Sequence, residues 1–459
     1  MSTARDHAQR DRDAALARLM RFLAIPSVSA VRAHAGDVQG AAEWLAARMA
    51  EAGIDGVRVD PTPGHPVVTG RLDAGPERPT VLVYGHYDVQ PPEPLEAWNS
   101  PPFVPTLLDG AIVARGAADD KGQLMAHVEA AAACMLAGGP PVNLRYVFEG
   151  EEEVGSPNLA EWLRDHADEL AADVAVISDT AMLSASQPSI VYGLRGLAYF
   201  EIEVVGPNHD LHSGAFGGAT LNPAGVLCRI LSALQDAEGR VLIPGFYDRV
   251  RPLGDDERDE LARVPFDVGA FRTATGAAGG WGEPGYSLVE RLGARPSLDI
   301  NGLISGWTGE GAKTVLPARA LAKVSMRLVP DQDPEDIAER VREAVAGLTP
   351  QGASATVRAL HGARPAVCDR SHPAMQAAAR AYADVFGTLP VFTREGGSIP
   401  VVTLLDELLG IPTVLMGFGL PDDGLHGPNE KFAVAQFWRG TETVIAFLEQ
   451  LASAGVERS

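Results

Sequence analysis

The sequence has few cysteines, no excess of basic residues and no long hydrophobic run. Its three cysteines match no zinc-ribbon or Cys-x-x-Cys spacing, which predicts reduced thiols in a reducing compartment. Lys and Arg number 38 against 60 Asp and Glu, and the net charge of −22 excludes nucleic acids and anionic membranes as partners. No window reaches the roughly 20 apolar residues of a membrane span, and the N-terminal segment lacks a signal-peptide core. We therefore expect a cytoplasmic protein.

The 459 residues, 46% of them hydrophobic, predict a globular chain of two or three domains. Short apolar runs cover residues 80–84, 142–148, 174–178 and 412–417. Such runs are typical of strands that are buried on both faces of a sheet, and segments with helical periodicity separate several of them. This alternation predicts an α/β domain whose mostly parallel sheet is flanked by helices.

The pattern changes near residue 193, where apolar and polar residues alternate with a period of two. This period predicts an antiparallel sheet with one exposed face. Asn222-Pro223 and Asp333-Pro334 each supply an N-cap residue followed by proline, and so predict the starts of two helices. We therefore predict an inserted α+β domain over residues 193–368, between the two parts of the α/β domain at 1–192 and 369–459.

His86 follows the first apolar run, in the sequence Gly85-His86-Tyr87-Asp88. Sites in α/β proteins form at the carboxyl ends of parallel strands, and in an extended His-x-Asp segment both side chains share a face. Asp88 could then hold the far ring nitrogen of His86 and fix its tautomer for metal binding. Taken alone, the motif favours a structural histidine over a metal ligand.

Further motifs place acids or a histidine at the ends of predicted strands and helices. Adjacent carboxylates such as Asp119 and Asp120 repel each other and favour a nearby cation. In the acidic run 151–153, one carboxylate could bind a metal while its neighbour takes a proton from water. Asp179 and His426 follow two other predicted strands. Taken singly, each motif is also compatible with an ordinary loop or helix start.

Together these motifs indicate a metal centre. Histidine and carboxylate ligands suit zinc, manganese or cobalt. Five ligands exceed the three protein ligands that catalytic zinc usually has, whereas two metals about 3.5–4 Å apart that share a carboxylate would use all five. The candidate ligands are His86, Asp119, Glu153, Asp179 and His426.

Nearly the whole chain, in order, resembles the M20 family of metallopeptidases, which includes carnosine-type dipeptidases, carboxypeptidase G, aminoacylases and desuccinylases. The motifs that carry the resemblance are GHYDVQP, RGAADDKGQ, EGEEEVGS, ISD, DLHSG, GAKTVLPA, SMRLVP, REGGSIP and LHGPNEK. The longer stretches DLHSGAFGG, TREGGSIPV and DGLHGPNEKF are similar to the carnosine-type, cytosolic nonspecific dipeptidase branch.

The resemblance implies a role for each residue of the predicted centre. Glu152 would be the general base, although three consecutive glutamates leave its register open by one residue in the sequence alone. Asp88 would orient His86, and the peptide bond between the residues that match Asp119 and Asp120 is cis in the family. The implied ligand sets are His86 with Asp179 for one ion, Glu153 with His426 for the other, and Asp119 between the two.

The resemblance also implies that the α/β domain is catalytic and that the inserted domain is a lid through which the protein dimerises. His212 would reach the partner's site and help to polarise the scissile carbonyl. Arg327 would receive the terminal carboxylate of the substrate, which a guanidinium can grip with two hydrogen bonds. Thr314, Gly396 and Ser398 match positions that contact the substrate.

The implied activity is hydrolysis of the amide bond of dipeptides or short peptides with a free C-terminal carboxylate. A homodimer with two divalent metal ions per subunit would carry it out. Two alternatives remain: an N-acyl-amino-acid deacylase of the same family, and a catalytically silent peptide-binding protein. A two-metal phosphoesterase is disfavoured because the sequence has no phosphate-binding loop of the GxxxxGK[ST] type.

Overall fold

The structure, a computed structural model, describes residues 2–277, 279–397 and 399–454. The chain divides into two compact units, each built from discontinuous segments. The first unit comprises Met1–Tyr192, Cys368–Thr393 and Pro400–Ser459, and the second comprises Gly193–Val367 and Arg394–Ile399.

Two stretches group differently from the predicted domain boundaries. Cys368 was expected at the end of the inserted domain but belongs to the first unit, where its amide donates to the carbonyl of Tyr192 at 2.7 Å. Residues 394–399 were expected in the second part of the α/β domain but group with the second unit, where the amide of Arg195 donates to the carbonyl of Glu395 at 3.1 Å. Both backbone contacts join residues that are distant in the chain, so composition did not indicate them.

The described residues form helices, strands and three short 3-10 turns, the last at Arg32–His34, Leu95–Ala97 and Glu152–Val154. The helices are α1 (Ala4–Arg10), α2 (Arg12–Leu23), α3 (Ala35–Glu51), α4 (Lys121–Leu136), α5 (Leu159–Asp165), α6 (Ala167–Leu170), α7 (Ser213–Phe216), α8 (Pro223–Ala233), α9 (Asp255–Ala262), α10 (Val268–Thr275), α11 (Leu288–Gly293), α12 (Pro334–Leu348), α13 (Pro373–Phe386), α14 (Pro400–Leu409) and α15 (Val434–Ala454). The strands are β1 (Asp55–Asp60), β2 (Val67–Leu72), β3 (Thr80–His86), β4 (Thr106–Leu108), β5 (Ala111–Val113), β6 (Asn143–Glu149), β7 (Val174–Ile177), β8 (Ser189–Leu194), β9 (Gly196–Val205), β10 (Leu211–His212), β11 (Ser297–Ser305), β12 (Val315–Leu316), β13 (Arg319–Leu328), β14 (Ser354–Ala363), β15 (Ala366–Val367), β16 (Val391–Glu395), β17 (Thr413–Leu415) and β18 (Lys431–Ala433).

A nine-stranded sheet has the order β1-β2-β6-β3-β7-β17-β8-β15, and β16 also pairs with β8. The four central strands, β6, β3, β7 and β17, run parallel to one another, whereas β1, β2, β8 and β15 pair antiparallel. Strand β3 is buried along almost its whole length, as its uninterrupted apolar run predicted. The α/β class is confirmed. The parallel centre brings the carboxyl ends of β3, β6 and β7 to one edge.

Helix α4 is the central helix of the first unit and is buried on almost every side. It packs against β3 and against α1, α2 and α15. Its one buried acid, Glu129, accepts hydrogen bonds from the guanidinium groups of Arg18 and Arg48, which neutralise its charge. Among the helices of the described residues, none combines the length and apolarity needed to cross a membrane.

The second unit contains the antiparallel sheet β11-β13-β9-β14, and helices α8 and α12 pack against it. Burial alternates residue by residue along β9, so the predicted period of two is confirmed. The side chains of Asn222 and Asp333 accept hydrogen bonds from the first turns of α8 and α12, as their cap positions predicted. Phe200, Ile202 and Val324 lie in the core between this sheet and its helices.

Candidate metal centre

Three parallel strands deliver side chains to one edge of the large sheet. His86 is the last residue of β3, and Asp179 comes two residues after β7. The three glutamates 151–153, called the acidic turn below, follow β6. Asp119 lies two residues before α4, and His426 lies in the loop between β17 and β18. Because the carboxyl ends of parallel strands meet at the same edge, these elements converge although their residues are far apart in the chain.

The five predicted ligands form two groups that share Asp119. One potential ligand atom from each of His86, Asp119 and Asp179 lies within 4.8 Å of the others, and the same holds for Asp119, Glu153 and His426. Asp119 Oδ1 is 3.0 Å from Nε2 of His86, and Asp119 Oδ2 is 2.9 Å from Nε2 of His426. Each oxygen of one carboxylate therefore faces a different histidine, which fits a carboxylate shared by two metal ions.

The carboxylates of this cluster repel one another. Burial raises the pKa of Glu153 to about 8, and the charge of Asp119 adds to this effect. Burial also raises the pKa of Asp179 well above its usual range, again with a contribution from Asp119. Burial opposes the ionisation of Asp119 itself, but hydrogen bonds from His426 and His86 lower its pKa. Since His and carboxylate donors suit zinc-like divalent ions, and such ions would relieve the repulsion, the residues fit a metal pair.

Within the acidic turn, the consecutive residues Glu151 and Glu152 have different surroundings. Glu151 is buried, and its Oε2 accepts a hydrogen bond from Asn158 Nδ2 at 2.8 Å. Burial raises the pKa of the half-buried Glu152, and the charges of His86 and Asp119 act on it with opposite signs. Glu151 is thus held by a neighbouring amide, whereas Glu152 lies within the electrostatic field of the ligand cluster.

The sequence model of peptidase family M20/M25/M40 matches residues 82–450, which contain all five clustered residues. The chain belongs to this family. It is an M20 metallopeptidase, and the resemblance of its motifs is confirmed.

Relatives of this M20 peptidase match along most of their length. The Cys-Gly metallodipeptidase DUG1 of Candida albicans is 34% identical over 95% of this chain and 94% of its own. The human Beta-Ala-His dipeptidase is 34% identical over 85% of this chain and 78% of its own. A solved structure, the M20 family metallo-carboxypeptidase Sso-CP2 from Sulfolobus solfataricus, is 32% identical, covers 96% of this chain and 99% of that chain, and superposes with a TM-score of 0.84.

In this M20 peptidase, Asp88 contacts more than His86. The Nδ1 atom of His86 lies 3.1 Å from the Asp88 backbone carbonyl and 3.4 Å from its carboxylate. The two carboxylate oxygens also accept hydrogen bonds from the amides of Glu152 and Glu153, at 3.2 and 3.1 Å. If His86 donates Nδ1–H to the carbonyl, its Nε2 lone pair faces Asp119. Asp88 therefore joins the His86 strand end to the acidic turn.

Other side chains at the site of the M20 peptidase were not anticipated from the sequence. Gln90 donates from Nε2 to Oε2 of Glu153 at 2.7 Å. Glu149, the last residue of β6, accepts hydrogen bonds from Tyr84 Oη at 2.5 Å and Ser156 Oγ at 2.8 Å, and burial raises its pKa to about 8. Gln90 stands in the GHYDVQP motif and Glu149 opens EGEEEVGS, so the available signal was that both belong to motifs that also hold candidate ligands.

The remaining predicted residues of the M20 peptidase that the structure describes belong to the second unit. His212 is exposed at the end of β10, and its Nδ1 accepts a hydrogen bond from the Gly214 amide at 3.0 Å. The Thr314 carbonyl accepts from the Ser213 amide at 3.1 Å. Arg327 is half-buried near the end of β13. At Gly396, an added Cβ would lie 2.6 Å from a guanidinium nitrogen of Arg195. Ser398 lies outside the described residues.

Proposed function

We propose that this M20 peptidase hydrolyses dipeptides and other short peptides with a free C-terminal carboxylate, using two divalent metal ions per subunit. The observation that carries the proposal is the pair of ligand groups that share Asp119, whose two oxygens each face a histidine. Zinc, manganese and cobalt are the ions that this donor set favours. Two relatives of high coverage are named as dipeptidases, which supports the choice of substrate.

Each ligand would serve one ion or both. His86 and Asp179 would hold the first ion, Glu153 and His426 the second, and Asp119 would bridge them. Bound divalent ions lower the pKa of a water molecule and polarise a carbonyl.

The proton is handled by Glu152. Its carboxylate would take a proton from the attacking water and then pass it to the leaving amine. Burial raises its pKa, which makes the Glu152 carboxylate a stronger proton acceptor than an exposed glutamate. Asp88 supports this role because it binds the Glu152 amide and so fixes the acidic turn.

The second unit would supply the substrate contacts. Arg327 would bind the substrate carboxylate, and Thr314, Gly396 and Ser398 would line the same subsite. His212 would act on the scissile carbonyl in the site of the partner subunit. Its Nδ1 accepts a hydrogen bond from the Gly214 amide, so in the neutral ring Nε2 carries the proton. A protonated Nε2 could donate a hydrogen bond to a developing oxyanion.

We also propose that the protein is a homodimer formed through the second unit and located in the cytoplasm. Strand β11 is an edge strand of its sheet, and three of its residues, Ile300, Leu303 and Ile304, are exposed by 50–58%. An exposed apolar edge strand favours pairing with another chain, and a second copy would cover it. The three free cysteines suit a reducing compartment.

The test is a substrate panel on metal-stripped enzyme with zinc, manganese or cobalt added back. The panel holds Cys-Gly, beta-Ala-His, the C-terminal amides of both, and N-acetyl amino acids. We expect metal-dependent release of amino acids from the free dipeptides and little reaction with their amides. Faster reaction with N-acetyl amino acids would make the protein a deacylase. Complete inactivity with every metal would identify a silent binding protein and contradict the proposal.

A further inference from the structure

The loop that carries Asp119 is folded around a single buried carboxylate, that of Glu430. This side chain is fully buried, and each of its oxygens accepts two hydrogen bonds. Oε2 accepts from Arg115 Nη1 at 2.8 Å and from the Gly116 amide at 2.9 Å. Oε1 accepts from the amides of Ala118 and Asp119 at 3.0 and 3.1 Å. The Glu430 carboxylate thus binds three of the five backbone amides in residues 115–119, the segment that ends at the shared candidate ligand.

The same loop as Glu430 also carries His426, whose Nε2 faces Oδ2 of the Asp119 side chain. His426 and Asn429 have φ angles of 61° and 63°, in the left-handed region that residues other than glycine rarely occupy. Such backbone persists only where surrounding contacts determine it. The Asn429 side chain provides one such contact, since its Oδ1 accepts from the Asn99 amide at 2.6 Å. Glu430 provides the contact toward the Asp119 loop.

We propose that Glu430 is a positioning residue that locks the Asp119 loop to the His426 loop and thereby sets the geometry of both metal sites. The inference rests on the proposed two-metal function. A displaced Asp119 would lose its alignment with His86 and His426 at once, because one carboxylate serves both groups. Groups that orient metal ligands typically contribute about 10- to 100-fold to metal affinity. Glu430 should therefore act on binding of the ions rather than on proton transfer.

Glu430→Gln is the informative substitution. Glutamine keeps the shape of the side chain but replaces one acceptor oxygen by an NH2 group, which would face two N–H donors. The matched control is Glu283→Gln in the second unit. Glu283 is buried like Glu430 and binds the Arg295 guanidinium with two hydrogen bonds of 2.7 and 2.9 Å, but it belongs to neither candidate ligand group. Both variants break a buried Arg–Glu pair.

The experiment titrates Mn²⁺ into metal-stripped wild type, Glu430→Gln and Glu283→Gln by calorimetry, followed by dipeptide hydrolysis at increasing Mn²⁺. For Glu430→Gln we expect affinity for at least one ion to fall about tenfold or more. Excess Mn²⁺ should recover part of its kcat, which a misfolded enzyme would not show. Glu283→Gln should bind Mn²⁺ as the wild type does.

Unchanged Mn²⁺ affinity in Glu430→Gln, or an equal loss in Glu283→Gln, would overturn the inference while leaving the proposed function intact. A wild type that binds fewer than two ions would overturn both. If Glu430→Gln does not fold, Glu430→Asp takes its place, since it keeps the charge but is one methylene too short to reach both pairs of donors. Wild-type affinity in that variant would also reject the positioning role.

Discussion

At the scale of single residues, Glu152 is where metal binding and proton transfer can be separated. We predict that Glu152→Gln keeps its Mn²⁺ stoichiometry but loses about 10²- to 10⁴-fold in kcat, because the isosteric amide cannot accept the water proton. Metal content and dipeptide turnover of the purified variant would be measured together. Glu151→Gln is the matched control, since the Glu151 carboxylate is bound by Asn158. If Glu151→Gln were the inactive variant, the general base would be one residue earlier than we propose.

Arg327 allows a test of substrate recognition that does not touch the metal ligands. We predict that Arg327→Met lowers kcat/KM for a free dipeptide about tenfold to a hundredfold, since a charge-assisted hydrogen bond to the substrate carboxylate is lost. The C-terminal amide of the same dipeptide should show a much smaller change. Arg319→Met, on the same strand but paired with Glu203, serves as control. An equal loss for both substrates would argue against a carboxylate contact.

The sequence predicted which side chains meet at the centre better than it predicted how they are held. His86, Asp119 and His426 could be chosen because each follows or precedes a predicted element at the sheet edge. The second contact of Asp88, to the amides of the acidic turn, depends on the path of that turn and has no sequence pattern. The contact of Glu430 with Asp119 spans 311 positions, and no local spacing reports such a distance.

At the scale of elements, buried apolar runs predicted the central strands because their hydrophobicity shows directly in the sequence. Burial alone does not reveal strand direction: β7 pairs parallel and β8 antiparallel, yet both strands are buried on both faces. Strand direction depends on the connection between strands rather than on the composition of either one. Helices α8 and α12 of the second unit were predictable because Asn222 and Asp333 act locally as caps.

Helix α4 contains a histidine that should make stability depend on pH. His127 is buried against Ser178 Oγ at 2.8 Å, and burial lowers its pKa from 6.5 to about 3. The unfolded chain therefore takes up a proton below about pH 6.5 that the native state refuses until about pH 3, so stability is lost as pH falls through this window. At pH 5 the expected loss is about 2 kcal/mol relative to pH 7.5.

We predict that His127→Gln, which stays uncharged, removes this part of the acid sensitivity. The free energy of unfolding would be measured by denaturant titration at pH 7.5 and pH 5 for both proteins, and the difference between the two pH values compared. His209→Gln, at an exposed loop position, should behave as the wild type does. Equal pH dependence in wild type and His127→Gln would mean that His127 takes up its proton in the native state as readily as in the unfolded chain.

At the scale of the whole molecule, the chain crosses between its two units more often than a simple insertion requires. The segment Arg394–Ile399 returns to the second unit although both of its flanks belong to the first. The composition of this segment does not predict that it groups with the second unit, because the grouping depends on contacts such as the close approach of Gly396 to Arg195. Gly396, which is predicted to contact the substrate, stands in this segment and so belongs to the same unit as Arg327.

Subunit complementation tests the proposed dimer and the role of His212 together. His212→Ala and Glu152→Gln should each be nearly inactive as homodimers, the first for lack of the histidine contributed to the partner and the second for lack of the base. In a mixed dimer, the site of the His212→Ala subunit keeps its own Glu152 and receives the intact histidine of the other subunit. We therefore expect that unfolding, mixing and refolding the two variants restores activity to about a quarter of the wild-type value, because half of the dimers are mixed and each has one complete site.

The control for this recovery is a mixture of His212→Ala with the double variant His212→Ala/Glu152→Gln, in which no subunit supplies the histidine. It should remain inactive under the same refolding conditions. Leu303→Asp adds a charge to the exposed edge strand β11 and should lower both the dimer fraction, measured by sedimentation, and the recovered activity in parallel. No recovery in the mixture, together with wild-type activity of a monomeric Leu303→Asp variant, would show that each subunit uses its own His212, and the interface would then have no catalytic part.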